Sequence, residues 1–185
     1  SQRKFPLNVN DIVFGLGPMI NAAGRLADAR QAVHLLLSKN KIEAKENANI
    51  LHQRNRMRKE IDLQIVQEAQ FILEKKQDEG TLENQKSIVL FQSHWHKGIV
   101  GIAAARIVES HHRPTIILAE SNGLAVGSAR SIKGFNIHAA IKKCEDLLIN
   151  FGGHEHAAGL TLKIQNVDLF QEKFEITVRE TIKEE

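Results

Sequence analysis

Residues 87–119 read SIVLFQSHWHKGIVGIAAARIVESHHRPTIILA: an apolar run, an alanine-rich segment at helical spacing, and a second apolar run. Ser87-Ile88-Val89-Leu90-Phe91 is short and rich in branched side chains, which suits a strand covered on both faces. Ile99 to Glu109 predicts a helix and Pro114 to Ala119 a second buried strand. Two such runs joined through a helix predict a parallel pairing, because parallel strands need a crossover that returns the chain to the same end of the sheet.

Outward from this unit the alternation continues. Leu124 to Arg130 predicts a third strand, Asn136 to Leu148 a helix capped by Asn136, and Leu160 to Ile164 a fourth strand. Asn166 to Lys183 predicts a closing amphipathic helix with Val167, Phe170, Phe174, Ile176 and Val178 inward. The expected fold class is α/β, a mixed and mostly parallel sheet flanked by helices, preceded by a long connecting helix. That helix is read from Ile42 to Gln77, where no Gly or Pro intervenes and Ala44, Ala48, Leu51, Ile61, Ile65, Ala69 and Ile72 keep a three-to-four spacing. The spacing lapses over His52 to Glu60, which is polar all round, so the middle of the helix reads as a solvated strut between two packed bodies. Its cations Arg54, Arg56, Arg58 and Lys59 read first as a solvated charged face and second as a contact to a nucleic-acid backbone. Residues 1–27 show neither a helix cap nor a strand signal and look like the end of a preceding body.

The chain has 185 residues, 42% hydrophobic and 25% charged, the balance of a soluble globular protein. No apolar run approaches the roughly 18 residues that span a bilayer, and no leader opens the chain, so a cytoplasmic protein without a membrane partner is expected. The single cysteine, Cys144, cannot form an intrachain disulfide and reads as a small buried apolar residue. Net charge is only +3, so nucleic-acid binding has to rest on where the cations cluster. With no Tyr, one Trp and eight Phe, base stacking is poorly supplied and contact to the backbone fits better. The acids are scattered, without the cluster of Asp and His that a phosphodiesterase metal centre needs, so neither a catalytic nor a metal-ligating residue is assigned to this chain.

Two segments pair flexible backbone with anion-binding side chains: Gly127-Ser128-Ala129-Arg130-Ser131 and Phe151-Gly152-Gly153-His154-Glu155-His156-Ala157-Ala158-Gly159. Glycine lets a backbone approach a ligand closely, while Ser, Arg and His donate to phosphate oxygens. Ser128, Arg130, Gly152, Gly153 and His154 are therefore candidate phosphate-binding residues, at loops or strand edges. Each segment alone also reads as an ordinary turn. His96 in His94-Trp95-His96-Lys97-Gly98 is a further candidate, just before a helix N-terminus. The opposing reading has Trp95 plugging the core and the histidines facing solvent. The pairs His94/His96 and His154/His156 raise zinc, but no four-ligand set is completed, and hydrogen bonding is the favoured reading.

Trp95-His96-x-Gly98-Ile99-Val100-Gly101-Ile102, His112-Arg113-Pro114-Thr115, the Gly127–Ser131 segment and Gly152-Gly153-His154-x-x-Ala157-Ala158-Gly159 together resemble the DHH-associated domain of the RecJ family of single-strand-specific exonucleases. Pro18-Met19-Ile20-Asn21-Ala22-Ala23-Gly24-Arg25 resembles the segment closing the preceding DHH domain of that family. The resemblance implies a 5′-to-3′ exonuclease of DNA repair and recombination whose DHH domain holds Mn²⁺ or Mg²⁺, with single-stranded DNA and other repair proteins as partners. It divides the chain into a DHH remnant at 1–40, a linker helix at 41–79 and the associated domain at 86–185. It places Ser128 and Arg130 at the terminal 5′ phosphate, with Arg25, His96 and His154 lining the same cleft. Met19 stands where the family usually has Arg, and the metal-binding motifs are absent, as in an excised fragment that does not cut DNA alone. DHH phosphodiesterases of short oligonucleotides or cyclic dinucleotides, which typically carry three glycines before the histidine, and non-catalytic nucleic-acid-binding modules are the alternatives.

Overall fold

The computed structural model describes residues 8–26 and 29–182. They belong to two compact units, Ser1–Ile61 and Asp62–Glu185. The first begins with α1 (Val9–Asp11), a π-helical turn (Ile12–Leu16), α2 (Gly17–Leu26) and α3 (Arg30–Leu37). Contrary to the expectation of an uncapped start, Asn8 caps α1: its side chain accepts from the Asp11 N–H at 2.9 Å while Asp11 accepts from the Asn8 N–H at 3.1 Å. This reciprocal arrangement satisfies two donors that a helix start leaves open. Ala23, Ala32 and Leu51 form the buried centre of this unit, with Met19, Ile20 and Leu35 against them.

The long helix α4 runs unbroken from Lys41 to Asp78, and the boundary between the units falls within it. Around that boundary the cations behave differently from one another. Arg56 is exposed and pairs with Glu60 one turn on at 3.1 Å, whereas Arg54 and Arg58 are half-buried, Arg58 donating to Asn55 at 3.2 Å.

The second unit is a five-stranded sheet of β1 (Ile88–Gln92), β2 (Thr115–Ser121), β3 (Leu124–Arg130), β4 (Leu148–His154) and β5 (Ala157–Lys163), in the order β1-β2-β3-β5-β4. Helix α5 (Val100–His111) joins the parallel pair β1 and β2, as the flanking apolar runs predicted. The other three pairings are antiparallel, so the sheet is mixed but mostly antiparallel, not mostly parallel. Turn chemistry accounts for the difference. Asn122-Gly123, with φ of 54° and 75°, joins β2 to β3 in two residues, and only an antiparallel hairpin can be closed so tightly. Glu155-His156 does the same between β4 and β5.

The second correction concerns the helix expected over Asn136 to Leu148. It stops early, as α6 (Ile137–Lys142), with Asn136 accepting from the Ala139 N–H at 2.9 Å. Residues from Leu148 onward turn into β4, so Phe151–Gly159 is a β-hairpin and not a loop. The closing helix α7 (Val167–Thr181) buries Val167, Phe170, Phe174 and Val178. Ile176, expected to face inward, is 57% exposed because it falls between two members of that stripe. Lys183, the expected end of this helix, lies outside the described residues.

One face of the sheet, with Ile116, Leu118, Ala125, Ala129, Ala158, Leu160 and Leu162, packs with α6 and α7 into the main core. Cys144 sits in that core; burial pushes its thiol up, which keeps it protonated and unreactive. The start of β1 is tied to α7 by Glu175, which accepts from the Lys86 N–H at 2.8 Å and from the Ser87 N–H and hydroxyl at 2.9 and 2.5 Å.

Candidate nucleic-acid interface

Side chains alternate across a strand, so Ser128 and Arg130 share the face of β3 opposite the α6–α7 core. Register carries that face outward. Ser128 stands beside Gly159, which stands beside Gly152; Arg130 stands beside Ala157, which stands beside His154. Two rows thus cross β3, β5 and β4, Ser128–Gly159–Gly152 and Arg130–Ala157–His154, about 10 Å from first strand to last. Helix α5 packs on β2 and β3, and Gly152, Gly159 and His154 are exposed. No atom lies within 4 Å of where a Gly152 side chain would begin, so the floor at the β4 end of the Ser128 row is open.

The first turn of α5 rests on the inner end of these rows. A Cβ at Gly101 would fall 2.9 Å from Arg130 Nη2, 3.0 Å from Ser128 Oγ and 3.2 Å from Ser128 Cβ. Glycine at 101 is what lets both side chains lie under the helix start. Arg130 also donates from Nη1 to the Ala129 carbonyl at 2.8 Å. The sequence shows Gly101 only as part of a family motif and without a role, although an isolated glycine inside a helical pattern is itself a signal of close packing.

His96 lies in the loop between β1 and α5. Its Nδ1 accepts from the Gly98 N–H at 3.1 Å, and its carbonyl accepts from the Ile99 and Val100 N–H groups at 2.8 and 3.2 Å. An accepting Nδ1 places the ring proton on Nε2, which makes Nε2–H the donor that His96 can offer a ligand. Trp95 is buried, as the opposing reading held, but neither neighbour is simply solvated. The Trp95 indole N–H donates to Glu68 Oε2 at 2.7 Å, and His94 Nε2 meets the same oxygen at 2.6 Å.

The hairpin tip is held by the segment after β3: the Ser131 N–H donates to the His156 carbonyl at 3.0 Å and the Ile137 N–H to the Glu155 carbonyl at 3.1 Å. Gly153 has a backbone reason for its identity. Its φ is 146°, and a Cβ there would lie 2.3 Å from the Ala157 carbonyl oxygen. Gly127 is likewise a packing glycine, its would-be Cβ 2.6 Å from the Ile117 carbonyl oxygen. Of the sequence candidates, the fold therefore brings Ser128, Arg130, Gly152 and His154 onto one face and sets His96 just ahead of α5. Arg25 is in the last turn of α2, in the other unit. Among the described residues no group of three or more His, Cys, Asp or Glu side chains could hold a metal ion.

A mixed sheet thus carries Ser128, Arg130, Gly152 and His154 on one face beside a helix start. The DHHA1 domain family model matches residues 84–180, and the chain belongs to that family. The relatives it resembles over most of its length are RecJ proteins, named single-stranded-DNA-specific exonucleases: that of Bacillus subtilis (strain 168) is 38% identical over 96% of this chain and 22% of its own length, and that of Escherichia coli (strain K12) 41% over 91% and 30%. Among solved structures, RecJ of Thermus thermophilus in complex with Mn²⁺ superposes with a TM-score of 0.81 at 31% identity, covering 93% of this chain and 25% of that one. An exonuclease RecJ bound to manganese gives 0.82 at 29%, covering 96% and 43%. The chain spans less than a third of the length of the curated relatives it matches. No described helix is long and apolar enough to cross a membrane.

Proposed function

We propose that this chain is the DNA-gripping part of a RecJ-like exonuclease that degrades single-stranded DNA from its 5′ end in the cytoplasm, in repair and recombination and alongside other repair proteins. The observation that carries the reading is the shared face: Arg130 and Ser128 at the α5 end, His154 at the far strand, and Gly159 and Gly152 in the row beside them. Arg130 and Ser128 take the terminal 5′ phosphate through charge-assisted hydrogen bonds, the stronger kind because the acceptor is ionised. His96 adds its Nε2–H, and His154 meets the next stretch of backbone, which the open floor at Gly152 lets come close. Arg25, in the last turn of α2 and in the other unit, is a separate proposed contact to the strand. Residues 1–40 are assigned to the end of that domain, 41–79 to the linker helix and 86–185 to the associated domain.

Hydrolysis belongs to Mn²⁺ or Mg²⁺ held by the DHH domain outside this chain. The residues described here do not assemble a set for such an ion, so none of them is given a hydrolytic step. Their work is to hold the strand end in place. Fluorescence anisotropy at low salt with labelled single strands bearing a 5′ phosphate or a 5′ hydroxyl, beside a blunt duplex, tests this. Tightest binding to the phosphorylated single strand is expected, with Arg130→Ala removing the difference between the two ends. Equal affinity for both ends in the parent chain would refute the end-binding role.

A further inference from the structure

Glu68 is a strongly held acid that the grip itself does not use. It lies on α4, in the unit that contains the sheet. Its Oε2 receives both the Trp95 indole N–H and His94 Nε2, while Oε1 accepts from the Gln64 amide at 3.1 Å. The Trp95 hydrogen bond, with those of His94 and Gln64, holds the Glu68 carboxyl below its ordinary range against the opposing effect of desolvation. An ionised carboxylate only accepts, so His94 must present Nε2–H to it. Trp95 is 4% exposed and Ile99 fully buried, so these two side chains pin the segment between β1 and α5 into the body. The one polar atom of the Trp95 ring would be an unpaired buried donor without Glu68.

We propose that Glu68 is a positioning residue for the phosphate grip: by fixing Trp95 it fixes His96, the next residue, and through the turn His96–Gly98 the start of α5 that overlies Ser128 and Arg130. The linker helix thereby sets the geometry of a site it does not line. A second tie runs the same way, Asp62 of α4 meeting Arg106 of α5 at 3.0 Å. The proposal rests on the end-binding reading for its consequence, but the placement of His96 is separable from DNA.

The test compares Glu68→Gln, Glu68→Ala and Trp95→Phe in the 185-residue chain, the last keeping an aromatic ring while deleting the indole N–H. Imidazole ¹⁵N NMR reads the His96 tautomer. The parent chain should show a single Nε2–H form; Glu68→Ala and Trp95→Phe should mix the tautomers, and Glu68→Gln should restore the parent form because its amide oxygen still accepts from Trp95. Anisotropy should show about a tenfold loss for the 5′-phosphorylated strand in Glu68→Ala, the scale of one charge-assisted contact. An unchanged His96 tautomer in both Glu68→Ala and Trp95→Phe overturns the positioning role, even if stability falls. A parent chain without phosphate preference would instead refute the end-binding reading, leaving the NMR result to decide on Glu68 by itself.

Discussion

Replacing Gly101 by alanine should separate stability from binding. Alanine is favoured over glycine by about 0.8–1.0 kcal/mol in a helix interior, an upper bound at position 101 in the first turn of α5, so the change alone would stabilise the helix by less than that. The new methyl would stand 2.9 Å from Arg130 Nη2, a distance that real Cβ atoms almost never show, and 3.0 and 3.2 Å from Ser128 Oγ and Cβ, both tight. Overpacking costs about 1–3 kcal/mol where nothing can move. Arg130 can swing away, whereas Ser128 Cβ, 3.2 Å from the new methyl and fixed to β3, has to give by a few tenths of an ångström, a cost that the helix propensity offsets in part. The unfolding free energy, from urea denaturation, should stay within about 1 kcal/mol of the parent. Binding should not survive so well. Displacing Arg130 and crowding Ser128 removes contacts to an ionised ligand worth about 1.5–3 kcal/mol, so anisotropy should record a roughly 10- to 100-fold loss for 5′-phosphorylated single strands. A variant that binds the phosphorylated strand as tightly as the parent would show that the helix start does not govern the grip.

Gly153→Ala should destabilise strongly, with about 1–3 kcal/mol from the positive φ and a further cost from a methyl 2.3 Å from a carbonyl oxygen; Gly152→Ala, beside it in open space, should stay within about 0.5 kcal/mol in the same urea titration. Glu175→Gln should cost about 1.5–3 kcal/mol by weakening the acceptor for Lys86 and Ser87. Burial opposes ionisation of Glu175, but hydrogen bonds from Ser87, Lys86 and Arg179 outweigh it and hold its carboxyl below the ordinary 4.5. Its stabilisation is therefore complete above that value and lost as pH falls through the lowered one, so the variant should show a flatter loss of thermal midpoint from about pH 5 downward. Replacing Arg54 and Arg58 together by alanine should reduce the slope of log affinity against log salt by about 0.7 for each phosphate they touch. An unchanged slope would leave them as half-buried cations that touch no phosphate.

The elements that proved legible in the sequence were those whose burial writes a period. Leu124–Arg130 matched β3 to the residue, α4 matched within a residue at each end, and Val167, Phe170, Phe174 and Val178 marked the inner face of α7. Strand direction was decided instead by turns. Asn122-Gly123, two residues between two strands, forces a reversal, and overlooking it made the sheet mostly parallel on paper. Strand β4 was hidden for a different reason: it is an edge strand, exposed at Ile149, Asn150 and Gly152–His154, and it lacks the apolar run of a strand covered on both faces. Ser128, Arg130, Gly152 and His154 could be picked out by residue type, yet that they share one face follows only from the β3-β5-β4 register. Glu68 had no local signal, since its partners lie 26 and 27 residues further along the chain.

Strand β4 borders the sheet, paired on one side with β5 and open on the other. A border strand of this kind offers free N–H and C=O groups to any extended segment that meets it, including the same border of another copy. Two irregularities break the template: the register slips between Leu148 and Asn150, and Gly153 departs from strand geometry at φ 146°. Between them runs only a short regular stretch, too brief to recruit a sixth strand. The two breaks make β4 a poor template for a further strand while its glycine face stays exposed, a protection written into the backbone of β4 and not into its charges.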